Sequence, residues 1–299
     1  MEAKGPLAGK RIVITRAAGQ SEGLRIMLRT AGAQVIELPC VEFREVSDAD
    51  PLDQVIRSLN QFDWLFFTSQ NAVRFFARRM RTLNLAPAPP GSRHHRVAAI
   101  GPATAEAAAN EGFSVDFVPP AGTGRTFAAN FKDCVRSVAG MEARNPAVEF
   151  VQGLAGMKIL VPRSDLALRE RAAADWMEVL EEAGAKVTPV VAYRTSMPES
   201  LAGPAMNGIL QNGADCFIFA SPSAFQNFAK AIDSEALRQF GTKSAFAAIG
   251  PTTAAAIRVS GLPCAIEATE SNSNALIDAI AEYFRRSTRS ANSQGAKYA

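Results

Sequence analysis

The sequence has few cysteines and histidines and lacks the short motifs that most often identify a cofactor or metal site. Four cysteines occur, at Cys40, Cys134, Cys216 and Cys264. They are far apart and form no CxxC pair, which excludes the common zinc and dithiol motifs. The patterns GxGxxG and GxxxxGK[ST] are absent. His94 and His95 have no carboxylate or cysteine at ligand spacing. We therefore expect reduced, buried thiols and neither a cofactor nor a bound metal.

Charge of one sign and long apolar runs are also scarce. The formal net charge is +3, and four cations fall in a terminal stretch without any acid: Arg285, Arg286, Arg289 and Lys297. The remainder is close to neutral and has no basic domain that would bind nucleic acid. No run of about 18 apolar residues occurs, and the start lacks the apolar segment of a signal peptide. These features predict a cytoplasmic protein with no membrane or nucleic-acid partner and a disordered tail over 286–299.

Short β-branched or aromatic runs alternate with longer segments of helical periodicity. This alternation is typical of parallel strands joined by crossover helices on both faces of a sheet. A chain of 299 residues suits two such domains. Five candidate strands fall in each half, at 11–15, 34–38, 63–68, 96–100 and 114–118, then at 158–162, 186–190, 215–220, 245–249 and 263–267. The sequence predicts an α/β fold with two doubly wound parallel sheets.

Three motif pairs recur in the same order in the two halves. The pairs are RIVITR with KILVPR, DWLFFTSQNAVRFF with DCFIFASPSAFQNF, and AAIGPAT with AAIGPTT. Both copies also have an AGA turn, at 31–33 and at 183–185. Three pairs in one order indicate an internal duplication. The copies differ at Ala220, which stands where the first copy has Thr68.

Both copies place hydroxyl groups and a GP turn directly after a candidate strand. In an open parallel sheet, ligands bind at the carboxyl ends of the strands. We expect Gly101 and Gly250 to adopt an unusual backbone conformation that exposes the N–H groups of the next helix. Such helix N-termini attract anions, although helix capping alone also explains these residue types. The candidate anion-binding residues are Thr68, Ser69, Gly101, Thr104, Ser221, Ser223, Gly250, Thr252 and Thr253.

Arginine follows the first strand of each copy, at Arg16 and Arg163. A guanidinium can hold a carboxylate through two hydrogen bonds, and the alternative is an ordinary surface cation. Residues 64–105 contain six further arginines and no acid, of which Arg74 lies nearest the expected ligand end of its helix. The sequence therefore favours an acidic small molecule as the ligand.

The segments TSQNAV, AIGPAT, VVAYRT, SPSAF and AIGPTTA, in this order and with the paired arginine turns, resemble the uroporphyrinogen-III synthases over about residues 11–284. The resemblance implies a lyase of porphyrin and haem biosynthesis that cyclises hydroxymethylbilane to uroporphyrinogen III, with inversion of the terminal D ring and loss of water. It implies a monomer that needs no cofactor and binds a polyanionic tetrapyrrole. A transient handover of the substrate from hydroxymethylbilane synthase stays open.

The resemblance also implies two flavodoxin/Rossmann-like domains that are assembled across the repeats. One domain comprises 1–38 and 196–299, the other comprises 43–191, and extended strands cross between them at 38–42 and 190–195. On composition alone, the polar segment 140–156 would be the interdomain linker. In the resembling family, this segment is a loop within the second domain. Two crossing strands form a hinge, so we expect closure around the substrate.

Tyr193, at the hinge position of the resembling family, is the candidate catalytic residue. A positioned proton donor would help the terminal hydroxyl of the substrate to leave as water and an azafulvene cation to form. The alternative role of Tyr193 is to pack the domain junction. Two other functions also stay open. A non-enzymatic binding or regulatory protein for an acidic small molecule would show no turnover, and a dinucleotide-dependent oxidoreductase would bind NAD.

Overall fold

The computed structural model of the chain describes residues 5–88, 95–119, 130–131, 154–169 and 175–295. The strands are β1 (Arg11–Ile14), β2 (Gln34–Glu37), β3 (Glu42–Arg44), β4 (Trp64–Phe67), β5 (Arg96–Ala99), β6 (Lys158–Ser164), β7 (Lys186–Ser196), β8 (Cys216–Phe219), β9 (Ala245–Ala248) and β10 (Ile266–Glu267). Most of the predicted loop at 140–156, together with His94 and Cys134, lies outside the described residues.

The described residues also form α-helices, most of which lie between successive strands in the sequence. They are α1 (Glu22–Thr30), α2 (Asp50–Arg57), α3 (Gln70–Thr82), α4 (Pro102–Asn110), α5 (Asp165–Arg169), α6 (Asp175–Glu182), α7 (Pro204–Asn212), α8 (Pro222–Ala231), α9 (Ser234–Lys243), α10 (Pro251–Val259) and α11 (Ser273–Gly295). Short 3₁₀ turns occur at Leu59–Gln61 and Glu199–Ala202. Among the helices that the structure describes, none is long and apolar enough to cross a membrane.

The first compact unit comprises Met1–Glu42 and Ser196–Ala299. Its sheet has the order β10-β9-β8-β1-β2, and the neighbouring strands are parallel. Side chains alternate between the two faces. Ile218 lies in the core that α1 and α11 cover, whereas Phe217 and Phe219 belong to a cluster of aromatic rings with Phe228 of α8. Both faces are apolar, as expected for a parallel sheet with helices on both sides.

The second compact unit comprises Phe43–Thr195. Its sheet has the order β3-β7-β6-β4-β5. On one face, Leu65 and Phe67 pack with residues of α2, α3 and α4, and we call this cluster the α3-side core. On the other face, Trp64 and Phe66 pack with Trp176 of α6, and we call this cluster the α6-side core.

The two sheets repeat the same strand order, and this repeat confirms the doubly wound, internally duplicated α/β fold. The order β9-β8-β1-β2 of the first unit corresponds to β5-β4-β6-β7 of the second. The N-terminal caps of equivalent helices also agree closely. Ser69 has φ −163° and ψ 155°, and Ser221 has φ −159° and ψ 156°. Each sheet therefore combines one strand pair from each half of the sequence.

Two predictions of secondary structure differ from the structure. Segment 114–118 forms a single parallel bridge, from Phe117 to Ala98, because the Asp116 carboxylate accepts the Val97 N–H (2.7 Å) that a strand carbonyl would otherwise take. The tail predicted to be disordered from 286 is helical as far as Gly295. Arg286 pairs with Glu282 one turn earlier, and no glycine or proline interrupts the helix before 295.

The described cysteines are free thiols, as expected. Cys40 and Cys216 are buried, and Cys264 is half-buried. Burial raises the pKa of the Cys40 and Cys216 thiols, because the interior disfavours a thiolate. Both thiols are therefore protonated and unreactive at neutral pH.

Candidate functional site

The predicted hydroxyl residues stand where strands end and helices begin. Ser69 follows β4 and caps α3 by accepting the Ala72 N–H at 3.1 Å. Ser221 follows β8 and caps α8 by accepting the Ala224 N–H at 3.2 Å, and its Oγ lies 3.0 Å from Ser223 Oγ. Capping thus occurs in both copies. Because a serine oxygen that accepts one N–H keeps its own O–H donor, capping leaves each hydroxyl able to bind a ligand.

The two GP turns differ from the sequence prediction in their backbone. Gly101 has φ −173° and Gly250 has φ 176°, which is ordinary extended backbone, so the unusual conformation predicted for these glycines is wrong. Their surroundings distinguish them. A Cβ at Gly101 would meet no atom within 4 Å, whereas a Cβ at Gly250 would lie 2.6 Å from Ser271 Oγ. A side chain would therefore fit at Gly101 but would displace Ser271 at Gly250.

The remaining hydroxyl candidates differ in exposure. Thr104 and Thr253 occupy equivalent positions in α4 and α10, and both are buried. Thr68 is half-buried at the end of β4, and Thr252 is exposed. Arg74 lies on the exposed side of α3, with Nη2 3.4 Å from Gln70 Oε1. Thr252 and Thr68 are thus more open to a dissolved ligand than the two buried threonines.

Tyr193 lies in β7 with its side chain in the α3-side core, and it is 7% exposed. Its ring stacks on Phe75 (centroids 5.2 Å apart, 17° between planes) and meets the edge of Phe43 at 5.7 Å. The Tyr193 hydroxyl lies 3.3 Å from Ser69 Oγ. The phenol is therefore held by two aromatic rings while its oxygen reaches the cap of α3.

Burial raises the pKa of Tyr193, because the core disfavours a phenolate. Hydrogen bonds from Ser69 and Ser164 and the positive charge of Arg163 act in the opposite direction, and Asp165 adds to the rise. The phenol is therefore protonated at neutral pH and able to donate. Its conjugate base would be stabilised by three groups that already face it.

Arg163 ends β6 as a buried cation without a carboxylate partner among the described residues. The residue is 6% exposed, and its Nε has no hydrogen-bond partner. Nη1 lies 4.0 Å from Met177 Sδ, a weak acceptor. Burial lowers the pKa of this guanidinium. A buried and unpaired cation is unfavourable, so the arrangement favours the arrival of an anion.

Arg16 is the equivalent of Arg163 in the first unit. It is half-buried, and burial lowers its pKa. No hydrogen bond or ion pair joins its guanidinium to another described residue. Both copies therefore end the first strand of a repeat with an arginine that keeps its donors available.

Sequence reasoning missed several residues that surround Tyr193. Ser164 and Asp165 follow Arg163 directly, and the Asp165 carboxylate accepts the Thr195 N–H at 2.9 Å, which fixes the end of β7. A polar pair just after a strand was the available signal, since such residues commonly cap helices. The stacking partner Phe75 gave no signal, because its contact with Tyr193 depends on the tertiary fold. The structure brings Ser69, Arg163 and Tyr193 together in the second unit.

Comparisons with known proteins identify the family of this chain. The family model described as uroporphyrinogen-III synthase HemD matches residues 23–278. The uroporphyrinogen-III synthase of Synechococcus elongatus is 29% identical over 293 residues, which cover 96% of this chain and 100% of that protein. The uroporphyrinogen-III synthase of Chlorobaculum parvum is 27% identical over 277 residues, which cover 92% and 94%.

A solved structure shares the fold. The crystal structure of a mutant uroporphyrinogen III synthase from the thermophilic bacterium Thermus thermophilus matches with a TM-score of 0.58 at 15% identity, covering 93% of this chain and 100% of that one. At this identity the match bears on the fold alone, which is the same mixed α/β architecture. Because the family model spans most of the sequence and the relatives match over nearly their whole length, the chain belongs to the uroporphyrinogen-III synthase HemD family.

Proposed function

We propose that this chain cyclises hydroxymethylbilane to uroporphyrinogen III, with inversion of the terminal ring and loss of water, and that Tyr193 is the proton donor. The observation that carries the role of Tyr193 is its surroundings. The phenol is protonated, fixed by stacking on Phe75, and placed next to Ser69 and the positive charge of Arg163. Such a group can protonate a leaving hydroxyl, and Ser69 and Arg163 offset part of the cost of the buried phenolate that is left.

The proton balance of the reaction fits a single donor of this kind. The terminal C–O bond of the substrate breaks as the Tyr193 proton reaches the departing oxygen, which leaves as water. The electron-rich pyrrole becomes an azafulvene cation, and Tyr193 becomes a phenolate. The substituted carbon that attacks first carries no hydrogen, so the proton is released later, when the unsubstituted carbon of the terminal pyrrole forms the final ring-closing bond, and the phenolate takes it up. Water is then the only net product besides the macrocycle, and Tyr193 is restored.

The substrate carries carboxylates on every ring, and we propose that donors at the strand ends of each unit bind them. Arg163 and Arg16 are the strongest candidates, because each keeps guanidinium donors without a carboxylate partner among the described residues. The capping hydroxyls and turn amides provide neutral donors: Thr68, Ser69, Gly101, Thr104, Ser221, Ser223, Gly250, Thr252 and Thr253. Fixing the carboxylates would orient the terminal ring so that its substituted carbon attacks first.

The setting of the reaction follows from the same proposal. We propose a cytoplasmic location, because an unstable polyanionic substrate must be taken up close to where it is made. A monomer suffices, because one chain carries both copies of the anion-binding turn. Direct transfer from hydroxymethylbilane synthase would protect the substrate from spontaneous closure.

The test is a coupled assay in which hydroxymethylbilane is generated in place and the oxidised products are separated as type I and type III isomers. We expect type III to predominate in proportion to the amount of protein. Type I alone, at the rate measured without protein and with the protein confirmed to be folded, would refute the enzyme function. Binding of the substrate without turnover would instead favour a binding or regulatory protein.

A further inference from the structure

The Tyr193 side chain reaches the α3-side core through an irregularity in β7. Strands β6 and β7 pair Arg163 with Val191 and then Ser164 with Tyr193, so Ala192 is an extra residue on β7. Because side chains alternate along a strand, a regular β7 would place Ala192 and Tyr193 on opposite faces. Both lie in the α3-side core. The bulge therefore turns the phenol to this face and makes Ser164 its cross-strand partner.

Two serine hydroxyls next to the phenol are already fixed by backbone amides. Ser69 Oγ accepts the Ala72 N–H at 3.1 Å, and Ser164 Oγ accepts the Ala167 N–H at 3.1 Å. A serine oxygen used in this way keeps one O–H to donate. The Ser69 donor has the Tyr193 oxygen at 3.3 Å. Ser164 is the strand partner of Tyr193, and its hydroxyl is one of the groups that lower the pKa of the phenol.

The duplicated sequence provides an internal comparison. Ala17 stands at the position equivalent to Ser164, directly after Arg16, and Val41 stands at the position equivalent to Tyr193. Neither the hydroxyl nor the phenol is present in the first copy. Helix α5 has only five residues and contributes little stability. Capping of α5 therefore does not by itself explain a buried serine at position 164. The serine occurs in the copy that has the tyrosine.

We propose that Ser164 is a positioning residue for Tyr193, whose phenol oxygen it holds opposite Ser69 with a second O–H donor. The proposal rests on the proposed function in one respect, because it assumes that Tyr193 gives up its proton during turnover. Two fixed donors that face the phenolate stabilise negative charge without reorganisation, as in an oxyanion hole. The bulge at Ala192 is the backbone feature that brings the two serines and the phenol together.

The experiment replaces Tyr193 by 2,3,5-trifluorotyrosine, whose phenol ionises nearer neutrality, and follows its ionisation by ¹⁹F NMR in the full chain. We expect Ser164→Ala to raise the pKa of the labelled phenol by about one unit, because the phenolate loses a donor. In the protein with natural Tyr193, Ser164→Ala should lower kcat about tenfold and leave KM within about twofold. Asp233→Ala is the matched control. Asp233 caps α9 by accepting the Ala236 N–H at 2.8 Å at an exposed position. Its removal should change neither the pKa of the labelled phenol nor kcat.

The outcomes separate this proposal from the proposed function. An unchanged pKa of the labelled phenol in Ser164→Ala overturns the proposal even if kcat falls, because the serine would then be only a structural cap. If the alanine variant does not fold, Ser164→Cys keeps the volume with a weaker donor, and the same shift in the phenol pKa is required of it. A shifted pKa with full activity in Tyr193→Phe would support positioning by Ser164 and refute proton donation by Tyr193.

Discussion

Replacing Tyr193 by phenylalanine removes one hydroxyl and leaves the ring contacts in place. The stack on Phe75 and the edge contact with Phe43 do not involve the oxygen, and Ser69 keeps its backbone partner. The change in unfolding free energy should therefore stay within about 1.5 kcal/mol, the net value of one hydrogen bond. Denaturant unfolding followed by circular dichroism measures this change.

The catalytic effect of Tyr193→Phe should be much larger. General acid catalysis contributes about 10²–10⁴ in rate, and burial makes this phenol a weak acid, so we expect the low end of that range. A hundredfold fall in kcat corresponds to ~2.7 kcal/mol of transition-state stabilisation. KM should hold, because the carboxylate donors remain, and the residual enzymatic product should still be type III.

The matched control is Tyr283→Phe. Tyr283 lies in α11 with its ring centroid 5.3 Å from that of Phe284, and it has no place in the proposed chemistry. This variant should keep the wild-type kcat in the coupled assay. A Tyr193→Phe protein that is folded and turns over within about threefold of wild type would refute proton donation by Tyr193, since a threefold loss is too small for general acid catalysis.

Three further predictions concern charge, pH and backbone space. Arg163→Met should raise the unfolding free energy, because it removes a buried cation that has no carboxylate partner among the described residues. It should also raise KM about 10–100-fold, because the proposed carboxylate donor is lost. The control is Arg258→Met, at an exposed ion pair, which should change the unfolding free energy by less than ~1 kcal/mol. The hydrogen bonds from Arg79 at 2.6 and 2.7 Å lower the pKa of Asp53. The contribution of this pair to the unfolding free energy is therefore complete above the unfolded pKa of about 4, and it is lost as the pH falls through the lower folded pKa. In urea titrations, Asp53→Asn should have a lower unfolding free energy than wild type by an amount that is constant from about pH 5 to 8 and shrinks below about pH 4. A difference in unfolding free energy that grows in acid would contradict the ion pair. Gly101→Ala should change the unfolding free energy by less than ~0.5 kcal/mol, because the backbone is extended and the space is empty, and a raised KM would then indicate close approach of the substrate to this turn.

The features that the sequence predicted best are those set by alternation and repetition. Short apolar runs identified the main strands of both sheets, because buried parallel strands must be apolar on both faces. The repeated motifs identified Ser69 and Ser221 as equivalent positions, and their nearly identical backbone angles agree with this. Local chemistry was sufficient here, since a serine directly after a strand is both a strand end and a helix cap.

The features that could not be predicted depend on register and on distant partners. A shift of one residue reverses which face a side chain occupies, so the bulge beside Ala192 was invisible in the sequence although it decides where Tyr193 points. Whether Arg163 has a carboxylate partner depends on distant parts of the chain, and among the described residues none provides one. Gly101 suggested a special conformation, yet the structure uses it extended, because the proline that follows sets the start of the helix.

The matched caps of the two copies also bear on how direction can be encoded. A duplicated scaffold presents the same groups twice, whereas the proposed substrate carries its leaving hydroxyl at one end only. The direction in which the substrate binds must then depend on positions at which the two copies differ. Val41 in place of Tyr193, Ala17 in place of Ser164 and Asn227 in place of Phe75 are such positions. Two identical halves would present every group twice, so one binding direction is favoured only because these positions differ between the copies.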